Sequence, residues 1–299
     1  MSRPLLLLIL ALASVPAVVA QKIERPRITG VSHASFYTSD AAAAQKFYGG
    51  LLGLEPGAWS GVYRVGIQSI EAEAKQPSNA EGRLSHIAFA TSDAEAMRRF
   101  LKSHAVTVPE SIHIEKSGTR WFQLNDPEGH PIEFVQEKAR AASASGAISQ
   151  KLIHAGFVVR DRAAEDRFYG DLLGFRVYWH GGMKDDQTDW VDMQVPDGTE
   201  WLEYMLVRPG DKPDARTLGI LNHVALGVDD IKAAQKLLES RGWKPGENEH
   251  AQIGKDGKWQ LNLYDPDGTR VELMEFKPVA KPCCSAYALP HPHNELGEH

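Results

Sequence analysis

The sequence predicts an α+β protein: four βαβββ modules paired into two cupped mixed β-sheets with helices outside. Three observations predict this. Four segments, beginning at Gly30, Arg83, Lys151 and Ile220, share one pattern of a histidine-bearing apolar strand, an Asp-led turn, an amphipathic helix and further strands. The shared histidines, His33, His86, His154 and His223, stand 53, 68 and 69 residues apart. Each unit is too small to bury a core alone, so neighbouring units must pack together.

The elements follow in the same order in each unit. Ile153, Ala155 and Phe157 alternate as a half-buried strand does, leaving His154 on the opposite face. Asp40, Asp93, Asp161 and Asp229 or Asp230 stand where a side chain can cap the free amides of the next helix. Phe168, Leu172 and Leu173 recur at helical spacing and pack on the sheet. Gly50, Gly53, Gly174 and Gly242 are expected to stop the helices. Tight hairpins then lead to closing glutamates: Asp126-Pro-Glu-Gly to Glu133, Pro196-Asp-Gly-Thr to Glu203, and Asp265-Pro-Asp-Gly to Glu272. The first unit lacks such a turn. Its strand reads Val65 to Ala74, with Glu71 as the match and Glu73 as a competitor on the same face.

Composition bounds the function. The 299 residues are 42% hydrophobic and 24% charged, a globular profile. A net charge of −6 offers no general basic surface to nucleic acid. Residues 1–20 read as a signal peptide: basic Arg3, an apolar stretch from Leu5 to Val19, and cleavage after Ala20. An exported protein, secreted or periplasmic, with no membrane contact after signal removal is expected. Domains are expected over 27–138 and 150–276, divided by the small, polar stretch Ala141–Gly146. Residues 277–299 form a proline-rich tail, disordered or draped on the surface, in which His291, His293 and His299 are weak metal candidates. Cys283 and Cys284 make neither a disulfide framework nor a zinc-ribbon spacing.

Every unit opens with a strand histidine and closes with a strand glutamate. In the second half His154, Glu203, His223 and Glu272 follow at steps of 49, 20 and 49; in the first, His33, Glu71, His86 and Glu133 follow at 38, 15 and 47. If paired units face each other, two imidazoles and two carboxylates converge in each cup. That N/O set suits a divalent metal ion: Mn, Fe(II), Co, Ni or Zn. The alternative is a structural histidine and a solvated glutamate copied by duplication.

These repeats resemble the vicinal oxygen chelate superfamily of glyoxalase I, extradiol dioxygenases and bleomycin-resistance proteins. The resemblance covers about residues 27–276 and is most specific from His154 to Phe175, with Phe168-Tyr169 and Leu173-Gly174-Phe175, and again at Phe47-Tyr48 and Leu52-Gly53-Leu54. It implies metal ligands at His154, Glu203, His223 and Glu272, with His33, Glu71, His86 and Glu133 as a second set. It also implies a small substrate with neighbouring oxygens. Two chemistries compete. A glyoxalase-like lyase or isomerase would use Glu203 or Glu272 as catalytic base. An extradiol dioxygenase would use His154, His223 and Glu272, but its acid–base histidine falls where this chain has Glu203, and its tyrosine where it has Asn262. A ligand-sequestering protein of the bleomycin-resistance type is the non-catalytic alternative.

Other candidates are His180, near the cup or on a surface hairpin, and Trp121, Trp190, Trp201 and Trp259, lining a cavity or filling the core. Phosphate-loop, nucleophile-elbow and dinucleotide motifs are absent. A monomer or homodimer is expected. The second half, with regular hairpins before both glutamates, is expected to carry the well-formed site. The first half, lacking one, should bind weakly or act as scaffold.

Overall fold

A computed structural model describes residues 23–75, 83–138, 146–208, 210–246 and 249–294. The expected signal peptide and most of the expected interdomain stretch lie outside them, as does His299.

The first sheet contains β1 (Ile28–Thr38), β2 (Glu55–Pro56), β3 (Val62–Val65), β4 (Gln68–Ala74), β5 (Leu84–Thr91), β6 (His113–Ile114), β7 (Arg120–Asn125) and β8 (Pro131–Gln136). The second contains β9 (Lys151–Val159), β10 (Arg176–Gly181), β11 (Trp190–Gln194), β12 (Trp201–Leu206), β13 (His223–Val228), β14 (Gln252–Ile253), β15 (Trp259–Tyr264) and β16 (Arg270–Glu275). Their orders are 2-3-4-1-5-8-7-6 and 10-11-12-9-13-16-15-14, so each sheet joins two neighbouring repeats. The opening strands meet antiparallel at the centre, and each is flanked by its own repeat's closing strand in parallel. Histidine and glutamate strands are therefore adjacent by topology.

Helix α1 (Ala41–Ala44) continues as π-helix over Gln45–Leu51; α3 (Arg162–Glu165) does the same over Asp166–Leu172. The others are α2 (Ala94–Ser103), α4 (Ala215–Leu221) and α5 (Ile231–Ser240). Asp40, Asp93, Asp161 and Asp230 accept bonds from first-turn amides as the sequence predicts, Asp230 rather than Asp229. Gly50 does not stop its helix but lies inside the π-helical run; Gly53, Gly174 and Gly242, all at positive φ, follow helix ends.

The Asp-Pro-x-Gly turns also join the two sheets. Tyr48 Oη donates to Asp265 Oδ2 at 3.0 Å, and Tyr169 Oη to Asp126 Oδ2 at 3.2 Å. Each sheet thus receives a tyrosine from the first helix of the other half. Lys277–Asn294 lies ordered across the second sheet: Cys283 N donates to Lys255 O, Ala288 N to Tyr178 O, and Gln194 Nε2 to Pro290 O. Cys283 and Cys284 form a vicinal disulfide within it.

Two candidate metal centres in unequal cups

In the first sheet the β1–β4 register pairs His33 with Ser69, which puts Glu71 two residues further along. In the second, His154 pairs with Trp201 and Glu203 follows two residues later. The two repeats therefore share one register. The shorter first repeat keeps it because Gly66, at φ 63°, closes β3 onto β4 in a two-residue turn, with Val65 paired to Gln68. The expected strand Val65–Ala74 is in fact the last residue of β3, the two-residue turn and the whole of β4.

Both triads converge. The ligand atoms of His33, His86 and Glu133 lie within 4.8 Å of one another, and so do those of His154, His223 and Glu272. In each cup the two imidazoles face each other Nε2 to Nε2 at 3.0 Å. Glu133 oxygens lie 3.8 Å from both imidazoles of its pair. Glu272 Oε2 lies 3.7 Å from His154 and 3.9 Å from His223. The expectation of an ill-formed first-half set fails on geometry, because the hairpin restores the register.

What surrounds the triads differs. The first opens into a cavity of about 700 Å³ walled by Trp59, Arg64, Ser69, Glu71, Glu115 and Trp121. Glu73, the competitor of Glu71, stands behind His86 with Oε1 3.7 Å from Nδ1. It is fixed there by the Ser35 and Ser85 hydroxyls, each donating at 2.7 Å. A carboxylate at the far nitrogen orients an imidazole whose Nε2 faces a cation. Burial lowers the His86 pKa, favouring the neutral ring a metal requires. Burial, then the charges of Glu71, Glu73 and Glu115, pushes Glu133 up to about 7. Carboxylates crowded this closely attract a cation.

The second cup supplies cations of its own. His223 Nδ1 donates to Leu221 O at 2.9 Å, leaving a lone pair on Nε2. Arg270 Nη2 donates to that lone pair at 2.7 Å and lies 4.0 Å from Glu203 Oε2. Burial, reinforced by Arg270, pushes His223 down to about 4. Burial alone would raise the Glu203 carboxyl, but the His154 and His223 rings beside it outweigh burial and hold Glu203 well below its ordinary value. Beneath this set Lys258, fully buried, donates to Tyr178 Oη at 3.1 Å and sits 4.7 Å from the Trp201 ring centroid. The tail roofs the cup, with Tyr287 and Leu289 packed on Tyr178, Trp179 and Trp201.

Arg270 and Lys258 were missed by sequence reasoning, although parity offered a signal: Arg270 lies two residues before Glu272 and shares its strand face. Its counterpart in the first sheet is Pro131. Asn262 pairs directly with Glu272. His180 is held at its backbone by Ser285 of the tail. Trp121 lines the open cavity, Trp201 is core, and Trp190 and Trp259 pack against core clusters.

With this geometry in place, the comparisons with known proteins define the class. The family model of the Glyoxalase/Bleomycin resistance protein/Dioxygenase superfamily matches residues 30–134 and 151–273. The chain belongs to that superfamily. It is 29% identical over 128 residues to the uncharacterized protein YaeR of Escherichia coli (strain K12), covering 41% of this chain and 93% of that one. Among solved structures, a variant of homoprotocatechuate 2,3-dioxygenase from B. fuscum superposes with TM-score 0.63 at 20% identity, over 88% of this chain and 74% of that one. The Mn(II)-bound glyoxalase from Novosphingobium aromaticivorans superposes with TM-score 0.60 at 20% identity, over 84% and 83%.

Proposed function

We propose that this protein is a divalent-metal-dependent enzyme of the vicinal oxygen chelate type, acting on a small substrate with neighbouring oxygens, and that its chemistry belongs to the first-half cup. One observation carries the reading: His33, His86 and Glu133 converge at the wall of an open 700 Å³ cavity, a size ordinary for small-molecule sites. The opposite cup is filled by the chain's own cations and tail.

The donor set fits a first-row divalent ion: two facing imidazoles and a crowded carboxylate. His33, His86 and Glu133 would hold it, with Glu71 as the fourth oxygen or the base. When bound, the ion supplies Lewis acidity to oxygens of the substrate. Glu71, on the cavity wall, takes up a substrate proton beside those oxygens. Trp59 and Trp121 offer aromatic faces to the substrate body, and Arg64 offers a cation to an anionic group. A carboxylate in the base position favours proton abstraction of the glyoxalase kind over ring cleavage. The apolar stretch from Leu5 to Val19 supports export with cleavage after Ala20; a purified chain starting at Met1 would refute it.

The test is metal content and turnover of three proteins: wild type, His33→Ala with Glu133→Ala, and His154→Ala with Glu272→Ala. The first pair of substitutions should remove one equivalent of metal per chain and abolish turnover, and the second should leave turnover in place. Stoichiometric metal with unchanged turnover in the first pair would sink the assignment. Tight ligand binding without turnover, insensitive to EDTA, would support sequestration instead.

A further inference from the structure

The two junctions between the halves are built on one plan but differ at two positions where only the second carries a histidine or carboxylate. At one, Tyr48 meets Asp265, with Thr269 closing the turn and Ala44 one helical turn before the tyrosine. There the neighbouring Asp267 is paired by Arg83 at 3.1 Å and by the Ser39 and Thr38 hydroxyls. At the other, Tyr169 meets Asp126, and His130 and Glu165 replace Thr269 and Ala44. Three metal-ligating side chains thus come together from both halves. Their ligand atoms lie within 4.8 Å of one another.

Glu165 is fully buried and Asp126 is 5% exposed. Glu165 Oε1 accepts from Glu128 N at 3.1 Å, but Oε2 is buried with no hydrogen-bond partner among the described residues. The Tyr204 hydroxyl, also fully buried, has none among the described residues either, and its ring lies 6.1 Å from that of Tyr169. Buried carboxylate oxygens normally find a partner, since an unmet one costs several kcal/mol. His130 Nδ1 hydrogen-bonds Asp126 Oδ2 at 2.8 Å, a contact that an ion between them would replace, and the His130 side chain keeps 20% exposure as an entry path. Two carboxylates and a neutral imidazole around a divalent ion make a closed charge balance in a buried site.

We propose that Asp126, His130 and Glu165 form a third divalent-cation site, of the zinc type, that clamps the two halves together. It is structural, since it stands outside both cups, and it does not depend on the metal reading of either.

The experiment uses zinc as the probe on the full-length protein carrying His33→Ala and His154→Ala, which disable the cups. Equilibrium dialysis should still find one tightly held zinc per chain, and zinc should raise the thermal midpoint. Adding Glu165→Gln, which keeps the side chain's shape, or Glu165→Ala, as at Ala44, should remove that zinc and the thermal gain; His130→Thr should do the same. Retention of the zinc in the Glu165→Gln protein would overturn the site. So would absence of zinc before that change, which would mean that the carboxyl holds a proton instead. Loss of metal from the cups alone leaves this site standing and counts only against the proposed function.

Discussion

Gly156 shows how one missing side chain shapes a centre. It pairs with His223 across the central strands, and a Cβ there would fall 2.0 Å from the ring's Cε1. The counterpart in the first sheet is Ser35, paired with His86 and free to carry a hydroxyl that fixes Glu73. Gly156→Ala should displace the His223 ring and cost about 1–3 kcal/mol, as overpacking does. Thermal denaturation would show the loss, while metal in the first cup stays unchanged. Arg270 offers the complementary test. Its guanidinium occupies the lone pair of His223, so Arg270→Leu should free a nitrogen beside Glu203 and Glu272. Calorimetric titration with Mn(II) or Zn(II) should find binding in that cup at least about tenfold tighter, or ~1.4 kcal/mol. Unchanged affinity would mean that Arg270 does not compete with the ion.

At the scale of elements, the C-terminal segment decides access to the second cup. His291 Nδ1 bonds the Tyr178 hydroxyl, and that hydroxyl also receives the buried Lys258. Burial, with help from Lys258 and Lys277, pushes His291 down to about 4. A released tail would titrate near the ordinary value of 6.5 and bind a proton that the docked tail refuses. Docking is therefore at full strength above pH 6.5 and weakens as pH falls toward 4. Hydrogen exchange over residues 283–294 should speed up across that window, and His291→Phe, which cannot charge, should flatten the response. An equal pH response in His291→Phe would place the sensitivity elsewhere.

At the scale of the molecule, the reciprocal Tyr48–Asp265 and Tyr169–Asp126 bonds hold two halves that repeat the same fold. Tyr48→Phe and Tyr169→Phe should each lower stability by about 0.5–1.5 kcal/mol. The two bonds share no partner, so the double variant should show nearly the sum in urea denaturation. A double variant no less stable than wild type would show that the junction rests on apolar packing alone.

Much of this was legible in the chain because it is local and periodic. Alternation placed the strands, Asp40, Asp93 and Asp161 capped their helices, and the recurring histidine and glutamate marked both cups and their eight residues. The family, too, was readable from Phe168-Tyr169 and Leu173-Gly174-Phe175. Even the first-half register has a local signal in Gly66, although its turn lacks the Asp-Gly of the others. What the sequence could not decide is which cup is open. That depends on contacts between residues far apart in the chain: Arg270 with His223, Pro290 with Gln194, His291 with Tyr178. The junction pairs Tyr48–Asp265 and Glu165 with Asp126 are of the same kind. Periodicity tells each residue which face of its own element it occupies, but only the packed tertiary structure brings a second element's charge or tail onto that face. The sequence therefore placed the stronger site in the second half, whereas long-range packing closes that cup and leaves the first one open.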